Sequence, residues 1–275
     1  MRWSLRWPPL AAQRHAPKSE MQIVRRGSGP ALVMLHGWAM HSGIFASLLV
    51  RLQENFTLYL VDLPGHGRSV DSGTALELDA VARQVAAHTP TALWFGWSLG
   101  GLIALYAAQH LPASVRGLLM ICASPRFMRA KDWPQGMDES VFRSFAEQLG
   151  SDFRGSIDRF SLLEAQGSGQ LRSEARLLRA QAFAYGEPSR KRLREGLAVL
   201  QNSDLRGGLP MLKMPSLWIA GDGDRLVSAQ SMQLAATRAA KGEYLCIEHS
   251  GHAPFLTYAD DIADAIERFA ATVPA

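Results

Sequence analysis

Ser98 stands between two glycines in the run Gly96-Trp97-Ser98-Leu99-Gly100. A serine hydroxyl is a weak nucleophile at neutral pH and needs a base and an oxyanion site beside it. The base is ordinarily a histidine, and a carboxylate fixes that histidine's tautomer and orientation. Two later clusters supply such groups, Gly221-Asp222-Gly223-Asp224 and His249-Ser250-Gly251-His252, and each holds two candidates. Asp224 is preferred because Arg225-Leu226-Val227-Ser228 follows it, where a helix begins. Asp222 reads as a turn residue that bonds local backbone. His252 is preferred over His249 because Ala253-Pro254-Phe255 follows, a stiff apolar turn that fixes the loop.

The chemistry also needs two N–H donors aimed at the oxyanion. Leu99, the residue after the nucleophile, supplies one. The other is assigned to Trp38 in His36-Gly37-Trp38, which follows an earlier apolar run. His36 reads as a loop brace. His66, inside Asp62-Leu63-Pro64-Gly65-His66-Gly67-Arg68-Ser69, reads as architecture.

These residues must be carried by strands and helices. Continuous apolar runs, the mark of buried parallel strands, occur at residues 31–35, 57–62, 92–95, 117–122, 216–220 and 243–247. Helical patterns cover 44–53, 76–88, 101–110, 228–240 and 260–271. Alternation of strand and helix predicts a doubly wound, mostly parallel α/β sheet. Its ligand sites gather at the carboxyl ends of the strands. Ser98, Asp224 and His252 each follow a strand, with the serine at a sharp strand-to-helix turn. Residues 126–206 break the alternation with helical patterns alone and read as a helical lid. The chain thus divides into an amino-terminal extension (1–20), a core (21–125 and 207–275) and the lid (126–206).

Composition narrows the function classes. The 275 residues are 47% hydrophobic and 20% charged, which suits a folded domain with a large core. A net charge of +4 does not by itself call for nucleic acid. No apolar run approaches the ~20 residues of a membrane span. Arg6 and the Pro8-Pro9 pair interrupt the amino-terminal segment, which argues against an export signal. Cys122 and Cys246 sit in apolar runs and read as buried thiols. That suits a reducing, cytoplasmic location.

After Met21 the assembled pieces resemble the α/β-hydrolase superfamily: His36-Gly37, the Asp62–Ser69 loop, the turn at Ser98, Asp224 and Gly251-His252. A closer resemblance is to the BioH family, the pimeloyl-acyl-carrier-protein methyl ester esterases of biotin synthesis. It is carried by Leu35-His36-Gly37-Trp38, Gly96-Trp97-Ser98-Leu99-Gly100-Gly101, Ala123-Ser124-Pro125 with Phe127, Asp132-Trp133-Pro134 and His252-Ala253-Pro254-Phe255. The resemblance implies an α/β-hydrolase fold and a cofactor-free, metal-free serine esterase. Ser98 would be the nucleophile, His252 the base and Asp224 its orienter, with Trp38 and Leu99 at the oxyanion. It also implies an acyl channel lined by Phe160, Ser161, Leu162, Leu163 and Glu164. Arg159, Arg172 and Arg176 fall where that family engages its acidic carrier protein, whereas the spacing at Arg154 departs from the family's.

The charge pattern agrees with an acidic partner. Residues 154–194 hold nine Lys/Arg against four Asp/Glu, a local excess of five. Arg172, Arg176 and Arg179 recur at helical spacing and share a face. The partner expected is thus an acyl-carrier protein bearing a pimeloyl methyl ester, with no nucleic acid or membrane, and a monomeric enzyme. Three rivals remain: a broad short-chain carboxylesterase of the same fold, a carbon–carbon hydrolase using the same triad, and a binding protein on a hydrolase scaffold.

Overall fold

The computed structural model describes residues 20–274. The amino-terminal extension, expected at 1–20, lies almost wholly outside them. Seven strands form one sheet: β1 (Ile23–Arg26), β2 (Ala31–Leu35), β3 (Thr57–Val61), β4 (Ala92–Trp97), β5 (Val115–Ile121), β6 (Ser216–Gly221) and β7 (Gly242–Ile247). Their order is β1-β3-β2-β4-β5-β6-β7. Every pairing is parallel except β1 with β3. The sequence reading missed β1, because Ile-Val-Arg-Arg has no continuous apolar run. It is an edge strand, and only Val24 of its four residues is buried.

Between the strands run α1 (Ala46–Leu52), α2 (Leu78–His88), α3 (Leu99–His110) and α8 (Ala229–Arg238), and α9 (Ala259–Thr272) follows β7. α1 packs with α9 and α2 with α3, which supplies the helical layers that a doubly wound sheet needs. The central strands β2 and β4 are buried almost end to end, as their apolar runs require. Cys122 follows β5 and is fully buried. Cys246 lies in edge strand β7 and is only partly buried, which corrects the sequence reading, and both thiols are free.

Four helices fill the stretch between β5 and β6: α4 (Glu139–Ser151), α5 (Phe153–Ala165), α6 (Leu171–Ala182) and α7 (Arg190–Asn202). Asp138 caps α4, Asp152 caps α5 and Ser189 caps α7, each accepting a first-turn N–H. This helical segment is tied to the sheet at several points. The Trp38 indole donates to Leu193 O at 2.8 Å. His41 donates to Gln181 O at 2.9 Å. The Arg192 guanidinium donates to Gly73 O, and Glu195 accepts the Leu76 N–H. Trp133 of the loop before α4 is fully buried and donates to Arg126 O.

Candidate active site

β4 ends at Trp97 and α3 begins at Leu99, so a single residue turns the chain through the corner. That residue is Ser98, held at φ 55°, ψ −118°. A positive φ is uncommon outside glycine and marks a strained position. The corner closes only because its neighbours lack side chains. A Cβ on Gly96 would lie 2.4 Å from Gly100 O, and one on Gly100 would lie 2.3 Å from Leu35 O.

The acid and base loops meet each other, and the base loop touches Trp97, the residue before Ser98. His252 Nδ1 lies 2.8 Å from Asp224 Oδ2, and both side chains are fully buried. Asp224 Oδ1 accepts the N–H groups of Leu226 at 2.8 Å and Val227 at 3.0 Å. Those bonds fix the carboxylate, and with it the ring that donates to Oδ2. His252 Nε2 is buried and has no hydrogen-bond partner among the described residues. A base nitrogen free to accept a proton has this form, and catalytic bonds of unliganded enzymes often close only with substrate bound. Trp97 joins the nucleophile to the base: its indole N–H donates to His252 O at 2.7 Å. Its ring packs edge-on against Phe255 at 5.2 Å.

The competing candidates lie outside this cluster. Asp222 is exposed and its carboxylate accepts the Ser250 N–H at 3.1 Å, which ties the acid loop to the histidine loop. His249 is exposed at φ 56°, and its carbonyl accepts the Gly169 N–H.

Leu99 opens α3, so its N–H is one of the orphan donors of a helix start. Trp38 follows β2, and its side chain is fully buried. Its ring packs edge-on against Phe160 at 4.7 Å. His36 braces the same loop. Its Nδ1–H donates to Gly37 O at 2.8 Å, while Nε2 accepts the Leu63 N–H at 2.9 Å. Burial, aided by the nearby His66, lowers its pKa to about 3, so the ring is neutral as both bonds require. His66 donates to Pro64 O, and burial lowers its pKa to about 4.

The run from Phe160 to Glu164 does not face one way. α5 points Phe160, Ser161 and Glu164 inward, all at 4% exposure or less, while Leu162 is 41% exposed. Leu162 and Leu163 line a separate depression of about 440 Å³ with Val141, Phe145, Arg159 and Gln166. No residue of the acid–base cluster lines it. The sequence reading placed all five along one channel. Helical periodicity divides them, since neighbours at i+1 and i+2 point apart. The main chain of Glu164 bears directly on the base, accepting the His252 N–H at 3.0 Å.

The arginines also divide. Arg172 and Arg176 are exposed on α6, with no acidic partner within 4.0 Å among the described residues. Arg159 pairs with Asp152 at 3.1 Å, Arg154 with Glu187 and Arg179 with Asp158.

Cys122 is the buried thiol expected from the sequence, and it also lies beside the acid–base pair, which no local pattern indicated. Its Sγ, an Asp224 carboxylate oxygen and a His252 ring nitrogen all lie within 4.8 Å of one another. A metal would need the thiolate. Burial, reinforced by Asp224, instead holds the thiol protonated. The trio therefore reads as the acid–base pair with a packing thiol beneath it.

Comparison with known proteins identifies the family. A family model described as alpha/beta hydrolase family matches residues 32–265, and the chain belongs to that family. Its relatives include the pimeloyl-[acyl-carrier protein] methyl ester esterase of Stenotrophomonas maltophilia (strain R551-3). The two are 53% identical over 251 residues, 91% of this chain and 96% of the relative. The enzyme of the same description from Xanthomonas oryzae pv. oryzae (strain MAFF 311018) is 52% identical, covering 92% of this chain and all of the relative. Among solved structures, the esterase EaEST from Exiguobacterium antarcticum superposes with a TM-score of 0.83. It has 23% identity and covers 92% of this chain and 96% of that one, which supports the fold alone.

Proposed function

We propose that the chain is a serine carboxylesterase that hydrolyses the methyl ester of pimeloyl-acyl-carrier protein, releasing methanol and the free ω-carboxylate during biotin synthesis. One observation carries the chemistry: a serine on a strained strand-to-helix corner, whose neighbour Trp97 is bonded to the main chain of His252, itself paired with Asp224 at 2.8 Å in a buried histidine–carboxylate couple. The substrate follows from relatives at 53% and 52% identity across nearly the whole chain.

In this reading Ser98 Oγ attacks the ester carbonyl while His252 Nε2 takes its proton. The Leu99 and Trp38 N–H groups hold the oxyanion. Collapse of the tetrahedral intermediate breaks the carbonyl-to-methoxy bond, and His252 gives its proton to the departing methanol. A water molecule, deprotonated by the same base, then cleaves the acyl-enzyme and restores Ser98. Asp224 keeps the ring in the tautomer that leaves Nε2 free. Residues 126–206 act as the lid. Phe160 is the wall of the acyl site nearest Trp38. Arg172 and Arg176 present the free positive charge of α6 to an acidic carrier protein, which mainly speeds encounter. Arg159 has a smaller part because Asp152 already neutralises it. Among the described residues no helix is long and apolar enough to cross a membrane, and we place the enzyme in the cytoplasm as a monomer.

The test is growth without biotin of a strain lacking its own methyl ester esterase. The parent chain restores growth and Ser98→Ala does not. Labelling by a fluorophosphonate probe checks the nucleophile independently, and rescue by Ser98→Ala equal to the parent's overturns the assignment.

A further inference from the structure

We infer that Glu164 is a positioning residue for the acid–base pair: a neutral carboxylic acid sealed beside Asp224, at the helix end that holds His252. This rests on the esterase reading above.

Glu164 is the penultimate residue of α5 and is 0% exposed. Both of its carboxyl oxygens are buried and lack a hydrogen-bond partner among the described residues. A buried carboxylate in that state is costly and takes up a proton instead. The carboxyl end of a helix also disfavours an anion. Asp224, the neighbouring acid, is the opposite case. Its oxygens receive N–H groups from Leu226, Val227 and His252. Of the two acids, Glu164, with neither oxygen bonded, is the one that holds the proton. Burial first, and then Asp224, raise the Glu164 pKa well above the ordinary glutamate range.

The elements around Glu164 supply no cation that pairs with it. The acid loop contributes Asp222, Asp224 and the exposed Arg225; the histidine loop contributes Glu248, His249 and His252; Cys122 follows β5. α6 brings Glu174 with Arg172, Arg176 and Arg179, all three arginines exposed, and α4 brings Glu147 and the Glu139–Arg143 pair; none of these cations lies within ion-pair distance of Glu164 among the described residues. The same helix end is clamped to both loops. Glu164 O accepts the His252 N–H at 3.0 Å. A Cβ on Gly251 would lie 2.9 Å from Glu164 O, and one on Gly167 would lie 1.9 Å from Gly223 O. An ionised Glu164 must be hydrated, and water can enter only by parting α5 from these loops. The His252 main chain then loses its anchor. Glu164 therefore acts through His252 and touches no reacting atom.

The linkage has a definite sign. A carboxyl whose pKa is raised on folding gives stability that is full below the unfolded value and falls as pH rises toward the folded one. Over that window the unfolding constant grows by up to about tenfold per pH unit. The test compares the parent with Glu164→Gln, which has the same shape and cannot ionise, and with Glu164→Leu. Denaturant unfolding and Ser98-dependent hydrolysis of p-nitrophenyl butyrate are followed from about pH 6 to about pH 10. The expected result is a steeper rise of the unfolding constant with pH in the parent. The descending alkaline limb of kcat moves up by about one pH unit or more in both variants, while KM moves less than about threefold. Superimposable unfolding slopes and alkaline limbs in parent and Glu164→Gln overturn the proposal, whatever becomes of Glu164→Leu. A chain with the slope difference but no Ser98-dependent hydrolysis retains the buried acid and overturns the positioning role together with the esterase reading.

Discussion

Replacing Asp224 by asparagine separates orientation from folding. In the structure the carboxylate does two jobs with two oxygens. Oδ1 accepts two loop N–H groups, and Oδ2 accepts the His252 Nδ1–H at 2.8 Å. An asparagine that keeps its carbonyl oxygen at the Oδ1 position preserves the loop bonds and turns its NH2 toward His252. The ring must then accept at Nδ1, so its proton sits on Nε2 and the base is lost. For triads of this kind the loss is ~10⁴-fold in kcat, or about 5.4 kcal/mol of transition-state stabilisation. Asp224→Ala behaves differently, because it also leaves the Leu226 and Val227 N–H groups buried without an acceptor. At ~1–3 kcal/mol for each stranded group, that variant loses about 2–6 kcal/mol of stability. At ~2–4 °C per kcal/mol for a chain of this size, its melting temperature falls by roughly 4–24 °C. The assay pairs steady-state hydrolysis of a small methyl ester with thermal unfolding of parent and both variants. An Asp224→Asn variant that keeps kcat within about tenfold of the parent, or two variants that melt together, would remove the orienting role from Asp224.

Two further outcomes test other parts of the argument. His66 is buried and neutral with its pKa near 4, so the unfolded chain protonates first and stability falls as pH drops below ~6.5. Between about pH 6.5 and pH 4.5 the parent should lose about 2 kcal/mol more than His66→Asn, as read from denaturation midpoints; equal losses would remove His66 from the acid response. Reversing Arg172 and Arg176 to glutamate should lower kcat/KM for a carrier-borne ester by at least about tenfold at low salt, and for a small free ester by less than about twofold. Equal losses on the two substrates would remove the docking role.

The central sheet was legible because β2 to β7 are apolar runs bounded by turn residues, a pattern that water itself imposes on buried strands. β1 was not legible, since an edge strand with one buried residue leaves no such trace. Ser98, Asp224 and His252 could be chosen because each follows a strand and because the residues after Asp224 and His252 stiffen their loops. Whether those loops meet is a matter of tertiary distance, which no local pattern encodes. Glu164 shows the same limit. Its letter and its helix were visible, but its burial against Asp224 depends on how α5 packs on two loops some sixty and ninety residues further on. The depression beneath Leu162 and Leu163 was hidden for a simpler reason. Five consecutive residues looked like one lining until the helix turned them apart.

The bond from the Trp38 indole to Leu193 O spans the boundary between the sheet and the helical segment. Its ring leans on Phe160 of the same segment. The loop assigned to the oxyanion is therefore held from above as well as from below. Any swing of α5 and α7 wide enough to admit a long acyl chain also withdraws those two supports. If the acyl chain enters by such a swing, admission and chemical competence are mutually exclusive states of one molecule. A substrate that fails to draw the helices back onto Trp38 would sit in a site that cannot yet react, so selection among esters would take place at closure and not at the serine.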